Sequence, residues 1–395
     1  MDKIRATILH MIETTGPGGA ETVLLNIVRG LPREEFESIV VVTDIGWLHE
    51  SLVAANVPTV ILKSDKPNDW RFLLEVIRLI RRHSVSLVHS HLDGTHFYAC
   101  LAGMLSHRSV IATYHGTVGD WYRKSLKNKL KWAVVKREVY RAVAVAEFIK
   151  NELIRVWAFP PDRIQRIYNG IDFAIYEAAD GRSLAQSSLG LPKGVPVVGM
   201  VGNIRKPKGY QHYVRAARAV VDRKPECRFL IIGQGEGELL AELKVLIRTL
   251  HLERNVILTG FRPDIPQLLQ LLDVFVLSSV PEGLPVAAIE AMGLGRPVVV
   301  TDCGGLRELV EDGITGFIVP PAEPEGLATR ILQLLNNREL ADRLGKQARV
   351  AVRDKFSLER NVGSYMELYR NCLRGHSTDY TIPAGCRGLF NPIGE

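Results

Sequence analysis

Along this chain, short continuous apolar runs alternate with stretches whose apolar positions recur three and four residues apart. Continuous runs bounded by Gly and Pro predict buried strands and the 3.6-residue period predicts helices, so the alternation specifies βαβ units around a parallel sheet. Residues 7–12 form the first expected strand, and Gly16-Pro17-Gly18-Gly19 turns the chain into a helix running to about Gly30. Strands are expected next at 38–43, 59–62, 87–90, 110–114 and 141–145, with helices around 69–82, 94–105 and 124–138. This series closes at Asn169-Gly170-Ile171-Asp172. Residues 173–195 lose periodicity and collect Ala, Ser, Gly and Asp, which reads as a linker. A second series runs through expected strands at 197–201, 228–232, 256–258, 274–277, 298–300 and 316–319. A helical pattern at 357–373 follows, and the tail from Arg374 carries none. The expectation is an α/β protein of two doubly wound domains with a cleft between them.

One stretch, 278–292, breaks the pattern most sharply. The expected strand 274–277 ends there, Pro285 suits the first turn of a helix, and residues 286–292 are apolar on every side except at Glu290. A lone carboxylate in a buried helix is costly unless something pairs with it. A strand end, a Gly-Pro turn and a helix start also make the kind of edge where open α/β sheets bind ligands, and free helix N–H groups favour anions. Glu282 and Glu290 therefore frame an anion-friendly helix start.

Composition narrows the reading without redirecting it. A length of 395 residues favours two domains, and 46% hydrophobic with 24% charged residues is ordinary for a soluble globular chain. No apolar run approaches the roughly 20 residues of a membrane span. Lys3 and Arg5 are followed by Glu13 and a Gly-rich loop, which reads as a first strand with no cleavable signal. The five cysteines (100, 227, 303, 372 and 386) lack CxxC spacing, which argues against a disulfide framework or zinc site and for a reducing compartment.

The net charge of +7 is local: residues 123–141 hold eight Lys/Arg against Glu138 alone, so the rest of the chain sums to zero. Arg123, Lys124, Lys127 and Lys131 are expected on one helical face, with Trp121, Leu126, Leu130 and Trp132 interleaved. No nucleic-acid-binding module accompanies them, so nucleic acid is not an expected partner. The segment reads either as an interfacial helix drawn to anionic lipid or as a solvated surface helix.

Three loops at strand ends are candidates for phosphate. Gly16, Gly18 and Gly19 precede a helix without the Lys-Ser/Thr of a Walker loop, and a plain tight turn is the alternative. Gly233-Gln234-Gly235-Glu236-Gly237 is dinucleotide-like but has Glu238 where a fingerprint has its third glycine. The loop 202–209 sets Arg205, Lys206 and Lys208 at a strand's carboxyl end, where cations would stabilise charge on a leaving phosphate. His10, His89, His91, His96 and His115 all fall in the first domain, and His115 in Thr113-Tyr114-His115-Gly116 stands out. No His-x₃-His pair with a nearby carboxylate and no Asp-x-Asp supplies an obvious metal site.

Taken together, Glu282-Gly283-Leu284-Pro285…Glu290, Val201-Gly202…Lys208-Gly209, Asn169-Gly170-Ile171-Asp172, Gly233-Gln234-Gly235 and Cys303-Gly304-Gly305 with Glu308 resemble the retaining glycosyltransferases of family 4. The resemblance covers nearly the whole chain. It implies the GT-B fold: a Rossmann-like acceptor-binding domain over 1–175 and a Rossmann-like donor-binding domain over 176–355. Residues 356–395 would supply a helix crossing back to the first domain, plus a tail.

By the same resemblance, Glu290 would hold the ribose hydroxyls, and Glu282 with the backbone of Gly283 and Leu284 would hold the donor sugar. Arg205 and Lys208 would hold the diphosphate, with Gly18 and Gly19. His115 would sit near the sugar, Gly233 and Phe261 would lie at the donor, and Glu282, His115, Arg205 and Lys208 are the catalytic candidates. Two positions depart from the family pattern. Asn203 stands where the family often has Arg, making Arg205 the substitute cation, and Ala146 stands where a Ser often follows the strand.

The implied reaction is transfer, with retention, from a nucleotide sugar (UDP ahead of GDP) to a glycan or lipid-linked acceptor in bacterial polysaccharide or lipopolysaccharide synthesis. It would need no cofactor and no divalent metal. The expected location is cytoplasmic, peripheral on the inner membrane face. Because no positioned nucleophile is evident, front-face displacement fits better than a covalent intermediate. A nucleotide-sugar 2-epimerase, a nicotinamide-dependent oxidoreductase resting on Gly233-Gln234-Gly235, and a non-catalytic sugar-nucleotide binding protein remain the alternatives.

Overall fold

The computed structural model describes residues 5–63, 69–177 and 181–375, and within them the chain builds two parallel sheets. The first comprises β1 (Ala6–Ile12), β2 (Phe36–Val42), β3 (Thr59–Ile61), β4 (Leu87–His91), β5 (Ser109–Tyr114), β6 (Val139–Ala144) and β7 (Ile164–Arg166). Between them run α1 (Gly19–Gly30), α2 (Trp47–Ala54), α3 (Trp70–Arg82), α4 (Asp93–Ser106), α5 (Leu126–Glu138) and α6 (Glu147–Arg155). The strand order is β3-β2-β1-β4-β5-β6-β7. Residues of β4 and β5 are buried throughout, as helices on both faces of a parallel sheet require.

Two short helices, α7 (Phe173–Glu177) and α8 (Arg182–Ser188), bridge to the second sheet. It contains β8 (Val197–Val201), β9 (Arg228–Ile232), β10 (Val256–Gly260), β11 (Val274–Leu277), β12 (Val298–Thr301) and β13 (Phe317–Val319), in the order β10-β9-β8-β11-β12-β13. Its helices are α9 (Tyr210–Val221), α10 (Gly237–Thr249), α11 (Ile265–Leu271) and α12 (Val286–Gly293). After β13 the chain continues as α13 (Pro324–Asn336), α14 (Arg338–Lys355) and α15 (Leu358–Gly375).

Strand order reverses between β1 and β4 in the first sheet and between β8 and β11 in the second. Crevices outside the carboxyl ends of the strands open at such points. The loops after β1, β8 and β11 carry Gly18, Lys208 and Glu282, so the topology alone gathers three candidate motifs at two crevices.

The helix α15 lies against α1 and sends two fully buried tyrosines into the first sheet. Tyr369 Oη bonds His89 Nδ1 at 2.7 Å and Tyr365 Oη meets Thr113 Oγ1 at 3.3 Å. A bidentate pair between Arg370 and Glu35, at 2.6 and 2.7 Å, fixes the helix further along. Residues 376–395, which include most of the patternless tail and Cys386, lie outside the described residues.

The structure corrects the reading of 173–195 as a linker. Asp172 starts α7 by accepting from Ala174 N at 3.0 Å, Phe173 packs against Gly293 of α12, and α8 packs on α11. Tertiary packing holds helices too short to stand alone. The helices α2 and α6 and the edge strand β7 are likewise additions to the expected set.

Candidate active site

The loop after β11 is built around Glu282. Its Oε1 accepts from Lys208 Nζ at 2.5 Å and from Ser279 Oγ at 2.7 Å, and the Lys208 and Glu282 side chains are only 22% and 13% exposed. Gly283 lies so close to the His115 carbonyl oxygen, at the end of β5, that a Cβ would have no room. Its own carbonyl accepts from Gly305 N at 2.9 Å. Gly304, at φ +55°, is pressed against the Glu282 carbonyl in the same way. Glycines at 283, 304 and 305 thus let three backbone segments, from both domains, meet beside Glu282.

Two helix N-termini converge beside it. Neither α1, capped by Gly18, nor α12, capped by Pro285, has a side chain accepting from its first N–H groups. The ends face each other: a Cβ on Gly19 would lie 3.8 Å from Val286 Cγ2. Paired positive dipole ends with open N–H groups favour an anion between them, and Lys208 adds a full charge. Arg205 is exposed, and its side chain makes no hydrogen bond or ion pair among the described residues.

The Asn203 side chain serves another purpose. Its Nδ2 donates to Pro17 O at 2.7 Å and its Oδ1 accepts from Gln234 N at 3.1 Å, tying the loops after β1, β8 and β9 together across the cleft. Beside these loops is a cavity of about 300 Å³ walled by Thr15, Gly16, Pro17 and Trp47 of the first domain and by Gln234 and Phe261 of the second. Phe261 is 44% exposed, which leaves an aromatic face free on that wall.

On α12, Glu290 is 7% exposed and accepts from Tyr176 Oη of α7. Burial pushes its carboxyl up to about 7, against the opposing pull of the tyrosine hydroxyl. Gln270 Nε2 donates to Tyr176 O at 3.0 Å and so holds the short helix in place.

The facing wall of the first domain is a set of histidines that burial keeps neutral: His10 and His96 are lowered to about 3 and His115 to about 4. His91 Nδ1 meets His115 Nε2 at 3.2 Å. Ligand atoms of His10, His89 and His91 lie within 4.8 Å of one another, a spacing that could hold a metal ion. However, His89 already bonds Tyr369 through Nδ1 and Thr113 Oγ1 through Nε2, both at 2.7 Å. Burial also raises the carboxyls of Glu13 to about 7 and Asp93 to about 6 at the ends of β1 and β4.

With this geometry in place, similarity to known proteins decides the family. The model described as "Glycosyl transferases group 1" matches residues 182–351, and the one described as "Glycosyltransferase Family 4" matches residues 17–174. An alpha-D-kanosaminyltransferase of Streptomyces kanamyceticus is 30% identical over 309 residues, covering 74% of this chain and 78% of that protein. This chain belongs to glycosyltransferase family 4.

The UDP-Gal:alpha-D-GlcNAc-diphosphoundecaprenol alpha-1,3-galactosyltransferase of Escherichia coli is 28% identical over 89% of this chain and 93% of its own length. HepE of Anabaena, solved in complex with UDP-glucose, superimposes with a TM-score of 0.84 over 92% of this chain and 99% of its own, at 24% identity. WaaG, a glycosyltransferase involved in lipopolysaccharide biosynthesis, does so at 0.72 over 91% and 99%, at 15% identity. The fold is GT-B.

In this family 4 enzyme, Glu282, Gly283, Lys208, Gly18, Gly19 and the carbonyl of His115 come together at one crevice. Gly233 and Phe261 sit beside the second cavity wall, and Gly233 packs on the Gly202 carbonyl. Leu284 is buried, and its carbonyl accepts from Asn169 Nδ2 at 2.9 Å across the domains. The basic patch does not form as expected. Arg123 and Lys124 precede α5, and Arg123 stacks 4.4 Å over the Trp157 ring and donates to Val156 O, while Lys131 lies 5.1 Å over Phe97.

The missing Ser at Ala146 is also explained. Glu308 of the second domain caps α6 instead, accepting from Glu147 N at 2.8 Å and Phe148 N at 2.9 Å. Sequence reasoning missed Tyr176 and Trp47, which lie in segments without a motif. Ser279 was readable three residues before Glu282 as a local hydroxyl partner.

Proposed function

We propose that this glycosyltransferase transfers a hexosyl group from a UDP-sugar to a hydroxyl of a lipid-linked glycan, with retention and without a metal. The observation that carries the reading is the meeting of two uncapped helix N-termini with Lys208 beside a buried carboxylate, Glu290. Glu290 accepts the ribose hydroxyls, the helix ends and Lys208 take the diphosphate, Arg205 closes on it from solvent, and Phe261 flanks the base. The donors named for the Escherichia coli relative and the HepE complex support UDP, and the former's diphosphoundecaprenol acceptor supports a lipid-linked one.

Glu282 is held by Lys208 and Ser279 and so serves as a clamp on the sugar hydroxyls, not as a nucleophile. The bond from the anomeric carbon to the phosphate oxygen breaks while a bond to the acceptor oxygen forms on the same face. The acceptor's proton passes to the leaving phosphate oxygen. Fixed cations and helix dipoles meet the charge that develops there.

Calorimetry with UDP, GDP and ADP, followed by a donor-hydrolysis screen, tests the donor. Glu282→Gln is expected to lower kcat by about a hundredfold while UDP affinity changes little; unchanged turnover would sink the assignment. Activity unaffected by a chelator is expected, and its loss with rescue by a divalent cation would overturn metal independence. The same hydroxyl chemistry reaches a membrane-borne acceptor if α5 docks on anionic lipid. Exposed Leu126 and Leu130, 75% and 60% accessible, beside Lys127 and Lys129 support that docking. Equal co-sedimentation with neutral and anionic vesicles would contradict it.

A further inference from the structure

At the end of α12 away from the diphosphate crevice lies a second cavity, of about 420 Å³, lined by Glu177, Arg182, Gln270, Leu294, Arg296 and Arg349. Its charges do not balance. Arg182 pairs with Asp273 at 3.1 Å, while Glu177 alone serves both Arg349 and Arg353. Arg296 has no carboxylate partner: its Nη1 donates to the carbonyls of Gln270 and Leu272 at 3.3 and 3.2 Å. Its buried Nε has no partner among the described residues. Nearby Arg338 and Asp342 pair with each other at 3.0 Å and add nothing. Four arginines therefore face two carboxylates, an excess of two positive charges.

We propose that this cavity is a second ligand site that takes the dianionic group of a phosphate monoester, and that its occupancy weakens nucleotide binding through α7. A phosphate monoester carries a charge of about −2 near neutral pH, and planar guanidinium forks bind its oxygens in pairs. Arg182 and Arg349 are each 47% exposed, so the mouth is open to solvent.

The coupling follows the chain. Arg296 holds the Gln270 carbonyl, Gln270 holds the Tyr176 carbonyl, and Tyr176 donates to Glu290. An anion that draws Arg349 and Arg353 from Glu177 releases the residue next to Tyr176. Glu290 then loses its donor, takes up a proton and accepts ribose hydroxyls poorly. This coupling rests on Glu290 as the ribose acceptor; the site does not.

Calorimetric titration with glycerol 3-phosphate, with UDP saturating the cleft, tests the site. Saturable binding is expected, with none for glycerol. Replacing both arginines (Arg182→Gln with Arg349→Gln) is expected to weaken it about tenfold or more, and Lys208→Ala to leave it. No saturable binding, or binding lost in Lys208→Ala and kept in the arginine variant, overturns the site. Melting temperatures within a few degrees of the parent certify that the variants fold.

For the coupling, glycerol 3-phosphate is expected to weaken UDP affinity roughly fivefold or more, and much less in Tyr176→Phe. An unchanged UDP affinity overturns the coupling and leaves the site standing. A chain that binds glycerol 3-phosphate but no nucleotide refutes the donor reading alone.

Discussion

Lys208 and Glu282 are a half-buried pair whose partners do different work, one toward phosphate and one toward sugar. Lys208→Ala leaves Glu282 with Ser279 as its remaining side-chain donor. We expect kcat to fall about a hundredfold or more, because a fixed cation at a developing charge is lost, and stability to fall by about 2 kcal/mol. Steady-state kinetics and denaturant melts separate the two effects. Glu290 gives a pH signature. Its carboxyl is raised to about 7, so it accepts hydrogen bonds as an anion above that pH and becomes neutral below it. UDP affinity should therefore weaken as pH falls from 8 to 6, and Glu290→Gln should flatten the profile. Glu290 was legible because a lone acid in an apolar helix demands a partner, and Glu282 because it stands in the turn between a strand end and a helix start. Tyr176, the partner, was not legible, because nothing in a stretch without periodicity says where a single ring will reach.

The glycine contacts and the cap of α6 belong to the element scale. Gly283→Ala forces the loop after β11 off the end of β5. A displacement of about 1 Å in such a site costs roughly a hundredfold in rate, so kcat/KM should drop by that order while the melting temperature holds. Unchanged kcat/KM would mean that the two segments need not touch during turnover. Glu308→Ala removes the acceptor for two N–H groups at the start of α6. A lost cap costs about 1 kcal/mol, and because this one crosses the domains, KM should rise as well. The expected strand series was legible because buried parallel strands are continuous apolar runs. The short helices α7 and α8 were not, since packing on α11 and α12, and not their own pattern, holds them.

For the molecule as a whole, acid stability is set by five histidines kept neutral at the heart of the first domain. Their folded pKa values lie below the unfolded 6.5, so the folded state binds fewer protons and the stability present above about 6.5 is lost as pH falls toward 4. Glu13, Asp93, Glu152 and Glu290 are raised and act in the opposite direction, gaining stability as pH falls. The five histidines outweigh the four carboxyls, so the melting temperature should decline from pH 7 to pH 5. A flat or rising profile would show that the histidines are reached by solvent.

The sequence by itself determined the two doubly wound domains, the crevice loops and the pair of glutamates, because period, turn chemistry and strand ends are local. It also placed the cations on the loop after β8. Tertiary structure decided what each of these touches: Lys208 on Glu282, Asn203 on Pro17, Glu308 on α6 and Tyr176 on Glu290. It also decided that Arg123 stacks on Trp157 and does not join a helical face. Those partners lie tens to hundreds of residues away along the chain, and only packing within each domain and of one domain on the other brings them into contact.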